Sequence, residues 1–222
     1  MNFFSHYYLD HKEGNTVYNF GLIYPDLFRD LYKLKEPSIF FNKENSDSLD
    51  EDLISFSQGI SMHLYRDAIF HPSLFFADLQ IKVKSVLIQH LEIKDIPRYW
   101  FFIHVLSEMF VDRKLVALYP REAKQMYVEL ELCVKQFNSK RDWFKEKKNF
   151  EVFMSRMQKI TLDKHIFAYT NNEMFLSTLW WVYKKAGLNI MSDSLKKEID
   201  LKLNVALHDL DKIEIDLPKL KE

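Results

Sequence analysis

Apolar residues recur at three- and four-residue intervals along almost the whole chain, the spacing of one buried helix face. The pattern predicts a short helix over about 2–10, a turn at Gly14-Asn15, and a helix over about 16–33 that carries Pro25-Asp26. A polar stretch, Lys35–Ser48, reads as a loop, and Asp47-Ser48 as the cap of a long helix over about 49–70. Pro72 ends that helix or opens the next at its first position, running to about 91. Lys94–Pro97 is a turn. The helix over about 98–118 is the most apolar, is expected at the centre, and is closed by Pro120. Helices over about 121–137, 141–159, 172–186 and 192–211 follow. The expectation is an all-α, single-domain multi-helix bundle over 1–213 with a charged tail, 214–222.

Composition narrows the class. Four Gly and six Pro in 222 residues are too few for the tight turns of a sandwich or barrel. A net charge of −1 gives no global field for nucleic acid or an anionic membrane. The single cysteine, Cys133, excludes an internal disulfide framework and a Cys-rich zinc site. A reducing, cytoplasmic compartment follows as the expectation. The start lacks a basic region and a cleavage site, so no signal peptide is expected. No apolar run reaches the roughly 20 residues of a membrane span.

Two extended triplets stand out: His63-Leu-Tyr-Arg-Asp67-Ala-Ile-Phe-His71 and His104-Val-Leu-Ser-Glu108-Met-Phe-Val-Asp112. The i, i+4, i+8 spacing keeps all three side chains on one helix face. Eight His and 32 acidic residues predict roughly one His-x-x-x-Asp/Glu pair by chance. Three occur, His6/Asp10, His63/Asp67 and His104/Glu108, so the extension to a third residue carries more weight than the pairs. Facing triplets would form a pocket of imidazoles and carboxylates suited to a divalent metal and hydrolysis. On the apolar 98–118 helix, ionisable groups are costly unless paired or bound to a cation. The competing reading is a hydrogen-bonded core network, with Arg66 or Arg113 answering a carboxylate. Gly59, one turn before His63, allows close helix approach or ligand access. Asp26 is either a cap or a ligand. His6, between Phe3-Phe4 and Tyr7-Tyr8, is expected to be buried.

Other features read as structural. His11, His90, His165 and His208 lack organised acidic partners in sequence, and Trp180-Trp181 and Phe175 read as core. The run Lys140–Lys148 is basic on balance, a solvated helix face or a docking face for an acidic partner. No phosphate-binding glycine loop, G-x-S-x-G or Cys–His nucleophile is present.

Met1-Asn-Phe-Phe-Ser-His6, then Gly21-Leu-Ile-Tyr-Pro-Asp26, then Gly59-Ile-Ser-Met-His63 with Asp67 four residues on, resembles the bacterial acyl carrier protein phosphodiesterases over about residues 1–115. That family is similar to the HD-type metal phosphohydrolases. The resemblance implies an all-helical, HD-like, manganese-dependent enzyme that removes 4′-phosphopantetheine from holo-acyl carrier protein. It makes His6, Asp26, His63 and Asp67 metal or catalytic residues, with His104 matching a later family histidine. The chain departs from the family at Leu64 and Tyr65, where an arginine follows the histidine, at His71, where an aspartate is common, and at Glu108. The pattern is also similar to zinc-dependent phospholipase C enzymes.

The sequence therefore points to a one- or two-metal phosphodiester hydrolase. His6, Asp26, His63, Asp67, His71, His104 and Glu108 are the candidate ligands; mixed imidazole and carboxylate donors suit Mn, Zn or Fe without ranking them, and the resemblance implies Mn first. Asp67, Asp112 and Arg66 are candidate catalytic residues; His71 or Asp112 would orient a ligand or move a proton, and Arg66 or Arg113 would hold a phosphate. Acyl carrier protein is the expected partner, through Lys140, Arg141, Lys145, Lys147 and Lys148. The alternatives are a metal phosphodiesterase on another phosphoester and a non-catalytic helical interaction protein.

Overall fold

The computed structural model describes residues 2–28, 50–92, 96–144, 146–187 and 192–215, and within them the regular elements are all helical. The chain divides into two compact units. One comprises Phe3–Asp67 and Tyr119–His165; the other comprises Met1–Asn2, Ala68–Leu118 and Ile166–Glu222. Among the described residues no helix is long and apolar enough to cross a membrane.

The first unit holds α1 (Phe3–Asp10), α2 (Thr16–Leu27), most of α3 (Glu51–Phe70), α6 (Pro120–Phe137) and α7 (Lys147–Asp163). The turn before α2 runs through Gly14 at φ +76°, and Asn15 caps the helix by accepting the Tyr18 N–H at 3.0 Å. The expected cap at Asp47-Ser48 lies outside the described residues. Asp50 accepts the Asp52 N–H at 3.0 Å and is held by Lys140 Nζ and Trp143 Nε1, each at 2.9 Å. Those contacts explain a departure from the expected 141–159 helix. Arg141–Trp143 is a short 3-10 turn, Trp143 and Phe144 are buried, and α7 starts only at Lys147. The core is aromatic: Phe20 stacks on Phe56 at 5.5 Å, with Tyr24, Phe28, Phe137 and Phe153 around them. One polar chain crosses it, in which Asn19 donates to Glu129 at 2.7 Å and to the Lys12 carbonyl at 2.8 Å.

The close approach of α2 and α3 decides the site. Gly21 and Gly59 face each other across the two helices. A Cβ on Gly59 would lie 2.1 Å from the Tyr18 carbonyl oxygen, and one on Gly21 would lie 2.4 Å from that of Phe56. Only glycine permits backbone contact this tight.

The second unit holds α4 (Leu74–His90), α5 (Tyr99–Leu118), α8 (Asn172–Lys185) and α9 (Asp193–Leu210), with the last turn of α3. Ser73, rather than Pro72, opens α4, accepting the Phe76 N–H at 3.1 Å. α5 is buried along most of its length, as its composition predicts. Arg113 is buried on it and donates to Asp211, Asn172 and the Tyr169 carbonyl at 2.6–2.9 Å. Trp181, expected in the core, is exposed; its neighbour Trp180 donates to Asp200.

Candidate metal centre

In the first unit α1, α2 and α3 each contribute to one group of side chains. α1 brings His6, which is 0% exposed. α3 brings His63 and Asp67 one turn apart, and α2 brings Asp26 in its last turn. His6 Nε2 lies 3.2 Å from Asp67 Oδ1, and His63 Nε2 lies 3.5 Å from Asp67 Oδ2 and 4.0 Å from Asp26 Oδ1. The two imidazoles stack with centroids 3.7 Å apart and planes 25° apart. Metal bonds of about 2.1 Å put adjacent ligand atoms roughly 3.0–3.4 Å apart in octahedral or tetrahedral geometry. The His6–Asp67 and His63–Asp67 spacings lie at or slightly beyond that range, so these three could hold a single ion, while Asp26, 4.0 Å from His63, lies further out.

Proton bookkeeping sharpens the assignment. His63 Nδ1 is 2.8 Å from the Leu22 carbonyl oxygen. A carbonyl only accepts, so Nδ1 carries the proton, and in a neutral ring Nε2 turns a lone pair toward Asp67 and Asp26. Lone pair against carboxylate is repulsive unless the ring is protonated or a cation lies between. Burial opposes protonation of His63, but Asp67 and Asp26 raise its pKa above the ordinary value. His6 goes the other way: burial lowers it to about 3, so it stays neutral. His6 Nε2 meets Asp67 Oδ1 at 3.2 Å, a contact that works against the effect of burial, while Nδ1 has no hydrogen-bond partner. A buried polar group left so costs about 1–3 kcal/mol. An ion beside Asp67 would take the Nε2 lone pair and leave the ring proton on Nδ1. The imidazoles hold the Asp67 carboxyl well below the carboxylate range against its burial.

The remaining predicted residues are placed differently. His71 groups with His104 and Glu108 in the second unit, not with His63 and Asp67. His71 Nε2 bonds Glu108 Oε1 at 2.8 Å, and His104 Nε2 is 3.3 Å from the same oxygen. The apolar surroundings of α5 suggest that His104 and Glu108 are buried; instead both are half-buried, on the helix face that opens to solvent. Asp112, one turn further, is the fully buried acid and belongs to neither group. Arg66 is held bidentate by Asp10 at 2.7–3.1 Å. Lys140 is paired with Asp50 and Asp52, Lys145 lies outside the described residues, Arg141 donates to the Phe144 carbonyl, and Lys147 and Lys148 are exposed.

Two elements escaped the sequence reading. The Leu22 carbonyl that sets the His63 tautomer has no side-chain signature. His90 and His165 do have acidic partners, Asp209 at 2.9 Å and Asp163 at 3.1 Å; the first is 119 positions away in sequence, beyond any local pattern. Compared with family models, curated proteins and solved structures, the chain matches none.

Proposed function

We propose that this chain is a metal-dependent phosphodiester hydrolase, and that its substrate is holo-acyl carrier protein, from which it releases 4′-phosphopantetheine. The observation that carries the metal is the turned His63: its Nδ1–H is spent on Leu22, and its Nε2 meets two carboxylates, one of which, Asp67, also meets the buried His6. His6, Asp26, His63 and Asp67 would hold the ion, which would lower the pKa of a water and neutralise phosphoryl charge. Mixed imidazole and carboxylate donors suit Mn, Zn or Fe. The Leu22 carbonyl fixes the His63 ring, as a backbone acceptor does for most metal-bound histidines. Asp26 and Asp67 keep about a quarter of their side-chain surface exposed, so the substrate side is theirs, while His6 closes the buried side.

The substrate rests on the sequence resemblance, in which His6, Asp26, His63 and Asp67 are the matching positions. Docking of an acidic carrier protein falls to the exposed Lys148 and to Lys147, whose pair with Glu151 is solvent-exposed at 3.6 Å, because Lys140 is half-buried between two aspartates. The test measures phosphopantetheine release from holo-carrier protein by mass spectrometry, beside hydrolysis of bis-nitrophenyl phosphate, on the full chain stripped of metal and resupplied with Mn. The expected result is metal-dependent release that His63→Ala and Asp67→Asn abolish. Cleavage of the generic ester alone would replace the substrate; no metal uptake and no turnover would remove the enzyme reading.

A further inference from the structure

The second unit carries a ligand set of its own. His71, just beyond the end of α3, and His104 and Glu108, one turn apart on α5, present one donor atom each within a 4.8 Å span. Both Nε2 atoms converge on a single oxygen, Glu108 Oε1, at 2.8 and 3.3 Å. The imidazole planes lie 25° apart with centroids 5.1 Å apart. Aromatic neighbours fix both rings. The Phe76 ring stands at 90° to that of His104 with centroids 5.0 Å apart, and the rings of Phe70 and Phe76 each lie 5.7 Å from that of His71.

We propose that His71, His104 and Glu108 form a separate binding site for a zinc-class divalent transition ion, with its own occupancy. Two imidazoles and one carboxylate are a recurrent three-ligand set for zinc, with the remaining position left to water or substrate. The exposures agree with an open site: 35% for each histidine and 18% for the glutamate. A dication on two neutral imidazoles and one carboxylate keeps a net positive charge, so an anionic oxygen is the fitting fourth ligand. The set shares no residue with the His6, Asp26, His63 and Asp67 centre, and its occupancy does not depend on the hydrolase reading.

The test is a Co(II) titration of the chelator-stripped full chain, followed by visible absorption, with Zn(II) competition and elemental analysis. Wild type is expected to bind two equivalents. Glu108→Gln, which keeps the side-chain volume, and His104→Ala are each expected to lose one equivalent and retain the other. His63→Ala is expected to lose the complementary one. Far-UV circular dichroism checks that each variant folds, and His71→Gln stands in for any that does not. If Glu108→Gln and His71→Gln leave stoichiometry and spectrum unchanged, the second site is overturned, whatever His63→Ala does. If His63→Ala changes nothing while Glu108→Gln removes an equivalent, the second site stands and the centre under the proposed function falls.

Discussion

Substituting Gly59 tests how the fold builds the metal centre. In Gly59→Ala the new methyl would sit 2.1 Å from the Tyr18 carbonyl oxygen and 2.9 Å from Gly21 Cα, both backbone atoms that no rotamer change can move. An ordinary contact requires α2 and α3 to separate by roughly 1.3 Å or more at this level. The same movement would stretch the 2.8 Å contact between His63 Nδ1 and the Leu22 carbonyl beyond hydrogen-bonding range. Overpacking costs about 1–3 kcal/mol, and the stranded His63 N–H about as much again. The helix-propensity gain of alanine over glycine returns about 1 kcal/mol. The net expectation is a loss of about 1–5 kcal/mol, or about 2–20 °C in Tm at roughly 2–4 °C per kcal/mol for a chain of this size. Metal affinity should fall about 10- to 100-fold, the usual effect of losing a partner that orients a ligand imidazole. Thermal melts and Mn or Zn titrations measure the two effects, with Gln58→Ala, exposed on the same helix, as control. A Gly59→Ala protein that melts within 1 °C or so of wild type and binds metal equally well would refute this account of the helix contact.

Further predictions follow from the charged groups. In metal-free protein the neutral, buried His6, lowered to about 3, contributes stability that is full above the unfolded value of about 6.5 and is lost as pH falls toward 3, with a slope approaching 1.4 kcal/mol per pH unit. His63, raised, contributes below about 6.5 and loses it as pH rises through its folded value, so the two bend the profile on opposite sides. Urea unfolding against pH should show the acid limb flattened in His6→Gln; an unchanged limb would contradict the burial argument. Arg113→Ala unpairs the Tyr169 carbonyl and a half-exposed Asp211, and should cost about 1–3 kcal/mol in denaturant melts. Arg66→Ala strands the more buried Asp10, should cost at least as much, and should leave metal stoichiometry intact; loss of metal would give Arg66 a role at the centre. Lys147→Glu combined with Lys148→Glu should raise KM for carrier protein and leave bis-nitrophenyl phosphate hydrolysis unchanged, since neither lysine touches the ligand set.

Much of the fold was legible locally. The 3.6-residue periodicity located the helices, and Pro120 stands at a helix start where local chemistry puts it, although α4 opens on Ser73 rather than Pro72. Failures came where a distant contact competed with propensity. Arg141–Phe144 has a helical composition, yet Trp143 and Lys140 reach back to Asp50, about ninety positions away, and the regular helix waits until Lys147. α5 read as buried all round, but a helix is buried only where neighbours cover it, and His104 and Glu108 occupy the uncovered face.

The sequence by itself determined an all-helical chain and nominated its metal-competent side chains, because helical spacing and residue type are local properties. It also marked Gly59 as a place where helices approach. Only the tertiary structure decided which nominees meet. It brought Asp26 toward His63 through the Gly21–Gly59 contact of α2 and α3, set His6 of α1 against Asp67, and joined His71 to His104 and Glu108. The i, i+4, i+8 spacing puts His63, Asp67 and His71 on one line but sets no partner for any of them. Partners come from the elements that pack against each turn, and those lie dozens of residues away in the chain.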